Sequence, residues 1–76
     1  MAVNQDWAKE ARSLLKAELK RKEVGYKELA NRLTEDGTPE TGASVANKIS
    51  RGTFSAAFMI QCLRAIGCQT VRLGDG

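Results

Sequence analysis

Four side chains in one short stretch carry the most informative chemistry of the chain. Ser44, Asn47, Lys48 and Arg51 fall within TPETGASVANKISRG, Thr38 to Gly52. At about 100° per residue they project from one side of a helix, while Gly42, Val45, Ala46 and Ile49 occupy the other. Asparagine and arginine bond bidentately to adenine and guanine edges, and lysine and serine reach phosphate readily. The outward row therefore suits the major groove of double-stranded DNA. An ordinary solvated helix face has the same composition, so both readings stand for this helix taken alone.

A reading row needs a helix with a defined start and neighbours that hold it. Thr38-Pro39-Glu40 predicts that start. A hydroxyl can cap the first free N–H groups, the proline lacks an N–H that would go unused there, and a carboxylate faces the positive end of the dipole. With Gly52 as the stop, the third helix is expected over residues 39–51. Tyr26 to Glu35 predicts the helix before it, with Tyr26, Leu29, Ala30 and Leu33 inward, Lys27 and Arg32 outward, and Gly25 at the N-cap. Asp36-Gly37 is a turn signal, and with Thr38 as cap the connection is only about three residues long, a tight helix pair.

The longest helical signal runs from Asp6 to Lys22. Trp7, Ala8, Ala11, Leu14, Leu15 and Leu19 form its apolar arc, and Lys9, Arg12, Lys16 and Lys20 a basic stripe almost opposite. That stripe reads as a solvent face, as a phosphate contact or as a membrane-surface helix. Glu18 enters the apolar arc and is expected at its rim or paired with an arginine. After Gly52, Thr53 or Ser55 can cap a fourth helix that turns Phe58, Met59, Cys62, Leu63 and Ile66 inward and ends at Gly67, with Phe54 as a staple. Its outer side carries Ala57, Ile60, Gln61 and Arg64. The tail CQTVRLGDG alternates, with Val71 and Leu73 on one side, a short strand signal without a second strand to pair with. It packs as an extended arm on the core or pairs with a second subunit. Ile60, Arg64, Val71 and Leu73 are thus the candidate contacts of a homodimer.

Bulk properties set limits on these readings. The chain has 76 residues, 42% of them hydrophobic, which makes one small domain over 1–76, with a core over about 6–67 and a tail over 68–76. Lysine and arginine number 12 against 9 acidic residues, a net charge of +3 that permits a polyanionic partner. There is no histidine, and the two cysteines, Cys62 and Cys68, read as reduced thiols that make neither a redox pair nor a zinc site. Without a histidine to serve as general base or to activate a cysteine, and without a phosphate-cradling glycine loop, catalysis is not expected. No cofactor, metal or small-molecule ligand is implied. No apolar run is long enough to span a bilayer and MAVNQDW lacks a signal-peptide pattern, so a cytoplasmic protein is expected.

These residues also carry a resemblance. VGYKELANRL, then an outward polar helix ending KISRG, then LRAIG, resembles the lambda-repressor-like (Xre-type) helix-turn-helix family over about residues 15–67. LLKAELKRKEVGYKELANRL with KISRGTFSAAFMIQCLRAIG looks more closely like a short bacterial family of uncharacterised domains, over about residues 7–73. The wider resemblance implies a four-helix all-α fold with a short extended tail and sequence-specific DNA binding, as in a transcriptional regulator. Base or groove contacts would fall on Ser44, Asn47, Lys48 and Arg51, and phosphate contacts on Tyr26, Lys27 and Thr53. Two features depart from it. More residues separate Leu33 from Ile49 than is usual there, and Leu19 stands where a basic residue is common. A protein-interaction module, partner-binding or antitoxin-like, is the alternative use of the same fold.

Overall fold

The computed structural model describes residues 6–73; the first five and last three residues of the expected domain and tail lie outside the described residues. Four helices follow in order: α1 (Trp7–Arg21), α2 (Tyr26–Glu35), α3 (Gly42–Arg51) and α4 (Ala56–Ala65). Among the described residues there is no strand. The match to expectation is close for α1, α2 and α4, because each carries its own local start and stop. Asp6 Oδ1 accepts from the Lys9 N–H at 3.0 Å, and Ser55 Oγ from the Phe58 N–H at 3.0 Å. Gly67, at φ 78°, follows the end of α4 and lets the Cys68 N–H reach the Leu63 carbonyl at 2.9 Å.

The start of α3 differs from the expectation. Thr38, Pro39 and Glu40 are not helical, and the N-cap is Thr41. The Thr38 N–H is already used: it donates to the Leu33 carbonyl at 2.8 Å and closes the end of α2. Thr34 Oγ1 then donates to the Ala30 carbonyl and accepts from the Glu40 N–H, which ties the loop back onto α2. Thr41 and Ser44 form a capping box, each side chain bonded to the other's backbone N–H. Thus residues 36–41, rather than a turn of three, join α2 to α3, and the extra residues between Leu33 and Ile49 lie in the connection.

Each helix contributes to one core. Leu15 and Leu19 come from α1, Leu29, Ala30 and Leu33 from α2, Val45 and Ile49 from α3, and Phe58, Cys62 and Leu63 from α4, with Val24 and Ile66 beside them. Val45 and Ile49 are fully buried, so the inward side of α3 lies where the periodicity puts it. Trp7 is a correction: it is 73% exposed, because in the first turn of α1 it is the Ala8 backbone that meets the end of α3, at Gly52. Glu18 is buried at the rim as expected, with Arg21 3.8 Å away and the Cys68 thiol donating to its Oε1 at 3.5 Å.

Two arginines expected on outer faces do structural work instead. Arg12 Nη1 donates to the Ser50 carbonyl at 3.0 Å, and Arg32 Nη1 to the Ala65 carbonyl at 3.1 Å. Each places a cation on the carbonyl-rich end of another helix, α3 and α4 respectively, where the dipole is negative. Arg32, half-buried, also pairs with Glu28. Replacement Arg32→Ala is expected to destabilise by about 1.5–3 kcal/mol, the range for a hydrogen bond to a charged group. Chemical denaturation checks this; a midpoint equal to that of the parent would remove Arg32 from the tertiary framework.

The tail also departs from its strand signal. Cys68 and Val71 pack against the core, while Leu73 is 88% exposed. The two residues of the alternating side are therefore separated, one in and one out. A lone strand has no ladder to hold its pleat, so burial of Val71 sets the local path.

Candidate nucleic-acid interface

The outward side of α3 divides into two pairs. Asn47 and Arg51, one turn apart, are exposed, and among the described residues neither side chain makes a hydrogen bond or ion pair within the chain. Ser44 and Lys48 are engaged. Ser44 Oγ donates to Glu40 Oε1 at 2.6 Å, and Lys48 Nζ to Glu40 Oε2 at 2.6 Å. The Glu40 side chain is only 7% exposed, so its charge is balanced at both oxygens before solvent is reached. Lys48 also stands 5.1 Å from the centre of the Phe58 ring, whose face favours a cation.

From its place in the sequence Glu40 is expected only to face the positive end of the helix dipole. Its spacing to Ser44 and Lys48, four and eight residues, is the available signal, but the clasp forms only because Thr34 fixes the Glu40 backbone just before the cap. The Lys48 hydrogen bond, followed by that of Ser44, holds the Glu40 carboxyl below its ordinary value of 4.5. A depressed carboxyl binds protons more weakly in the folded state than in the unfolded one. Its contribution to stability is thus present above pH 4.5 and is lost as pH falls through the folded-state value. Melting temperature is expected to drop on acidification across that window, and to drop less for Glu40→Gln; equal slopes in the two proteins would refute the clasp.

Gly42 explains how α3 is seated. A Cβ there would lie 3.3 Å from the Lys27 Cα, so the first turn of α3 rests directly on the first turn of α2. This brings the starts of both helices together. Lys27 is exposed at that junction, whereas Tyr26 is half-buried against the core. Thr53 is exposed beyond Gly52 and shares a depression of about 300 Å³ with Lys48, Arg51 and Ser55. Asn47, Arg51, Lys27 and Thr53 thus remain available to a ligand.

The remaining candidates lie elsewhere. Ile60, 57% exposed, and Arg64 are on the outer side of α4, as expected. Val71 is half-buried, packed against the core of its own chain. Cys62 is fully buried and its thiol is pushed up to about 12, first by burial and then by the Glu40 charge, so it stays protonated and unreactive. Among the described residues no cluster of three or more metal-ligating side chains occurs, and no helix is long and apolar enough to cross a membrane.

The model of one protein family, described as Domain of unknown function (DUF6471), matches residues 7–71. The chain belongs to the DUF6471 family. The match begins with the first residue of α1, takes in all four helices and ends at Val71, the last apolar residue packed on the core. DUF6471 is an uncharacterised family, in keeping with the closer of the two resemblances, and the match draws no link to lambda-repressor-like proteins. No curated protein and no solved structure matches the chain.

Proposed function

We propose that this DUF6471 domain binds double-stranded DNA in a sequence-specific way, with α2 and α3 acting as a helix-turn-helix and α3 entering the major groove. The observation that carries the reading is the pair Asn47 and Arg51: exposed, one turn apart, opposite the buried Val45 and Ile49. These are side chains able to bond bidentately to base edges. Lys27, next to the start of α3, and Thr53, next to its end, flank the pair where backbone phosphates would run. Ser44 and Lys48 become positioning residues in this account, since Glu40 already holds both. Tyr26, half-buried at the start of α2, is a further phosphate contact in this account. Repression or modulation of transcription by occupying an operator is the biological role that follows, one of binding without catalysis.

Titration of labelled random and selected duplexes tests the reading. Asn47→Ala or Arg51→Ala should cost about 1–3 kcal/mol on the preferred sequence, roughly fivefold to more than a hundredfold in affinity, and relax preference at one base position. Lys27→Ala should weaken all sequences alike and reduce the salt slope by about 1. Absence of binding at low salt would overturn the proposal. A protein-binding use of the fold is the competing reading, favoured by the exposed Ile60 on α4. Partner loss on Ile60→Ala, with DNA affinity unchanged by Arg51→Ala, would establish it.

A further inference from the structure

We propose that the domain associates with a second copy of itself through an antiparallel pairing of α1 with α1. Trp7, Glu10, Leu14, Ala17 and Arg21 recur at alternating intervals of three and four, the spacing of a helix–helix seam. All five line one groove of about 630 Å³, walled on its other side by Met59, Thr70, Arg72 and Leu73; the groove's other acid, Glu18, is buried and faces Arg21 and Cys68 of its own chain. Trp7, at the N-terminal end of this stripe, is 73% exposed, and Leu73, on the facing wall, 88%.

The charge order along the stripe selects the partner. Its centre is Leu14 and Ala17, its acidic member Glu10 is toward the N-terminus, and its basic member Arg21 closes the other end. A two-fold axis crossing between Leu14 and Ala17 sets Glu10 of one copy against Arg21 of the other, twice over, and Leu14 against Ala17. A parallel pairing would oppose like charges at both positions. The stripe is therefore complementary to its own reverse, which is the requirement of a two-fold contact between identical chains. Arg21 is 70% exposed and only loosely paired with Glu18, at 3.8 Å, so its guanidinium can turn outward. One helix from each copy is a small contact, so association is weak and appears on concentration. This surface is distinct from Ile60 and Arg64 on α4 and does not depend on the DNA reading.

The test uses the full chain without DNA. Trp7 is its single tryptophan and lies one turn beyond the Glu10–Arg21 contact, so intrinsic fluorescence reports the end of the seam. Sedimentation should show the mass rising with concentration from 8.3 kDa toward twice that value, with Trp7 emission moving to the blue in parallel. Glu10→Arg and Arg21→Glu should each raise the dissociation constant about tenfold or more, and the double exchange Glu10→Arg/Arg21→Glu should return it toward the parent value. Both sites are exposed, and circular dichroism verifies that each variant is folded. A monomer mass at every concentration overturns the proposal, whatever the Trp7 emission. So does a dimer that single reversals leave intact, or a double exchange as weak as either single.

Discussion

Gly52→Ala is expected to destabilise the domain by roughly 3 kcal/mol or more, from two costs at one position. Gly52 has φ 69°, a left-handed conformation that costs an alanine about 1 kcal/mol or more. A Cβ there would also lie 2.2 Å from the Ala8 carbonyl oxygen and 2.8 Å from its carbon. Both are backbone atoms of α1, so no side chain can rotate away, and either α1 or the end of α3 must shift. For a domain of this size each kcal/mol lowers the melting temperature by about 4–8 °C, so a fall of at least about 12 °C is expected. Gly37→Ala supplies the comparison. Gly37 is at φ 100° but a Cβ there meets nothing within 4 Å, so only the conformational cost applies. A Gly52→Ala loss no larger than that of Gly37→Ala would show that the approach of Ala8 to Gly52 is not close in solution.

Ile49→Ala should cost about 2–5 kcal/mol, the range for emptying a buried isoleucine site. Ile49 is fully buried, and it anchors the inward side of α3 between the residues proposed to read DNA, Asn47 and Arg51. Its removal leaves a cavity beneath them without touching either. Urea denaturation should give a lower midpoint with an unchanged slope, while Ile60→Ala, on the exposed side of α4, should stay within about 0.5 kcal/mol of the parent. Under conditions where Ile49→Ala remains folded, its DNA affinity should be near that of the parent. A large affinity loss in the folded variant would mean that the outward row depends on fine packing of α3.

The two effects converge on the same physical point. The outward row is presented by a helix of ten residues, short enough that its own hydrogen bonds hold it poorly in isolation. What fixes it is contact with its neighbours: Gly42 on Lys27 at the start, Gly52 against Ala8 and Arg12 on the Ser50 carbonyl at the end, and Ile49 beneath. Any reading of DNA by Asn47 and Arg51 would depend on α3 being seated at all; once the domain is folded, the contacts at the two ends of the helix keep it in place without Ile49.

Much of the architecture was legible in the residues themselves. The all-α class, the extent of α1, α2 and α4, and the inward sides of all four helices follow from apolar periodicity and short-range caps such as Asp6, Ser55 and Gly67, which act within a few residues of the groups they satisfy. The start of α3 did not follow, because Thr38 and Thr41 are both able to cap and their local chemistry is nearly the same. The choice fell to contacts between elements: Thr38 closes α2, Thr34 anchors Glu40, and Gly42 must meet Lys27. That choice then placed Glu40 to bind Ser44 and Lys48, while separate contacts between helices took Arg12 onto the end of α3 and Arg32 onto the end of α4 and left Trp7 outside the core. Periodicity tells which side of a helix is apolar. It does not tell which polar side chains another segment will engage, because that depends on distances set only when the helices pack.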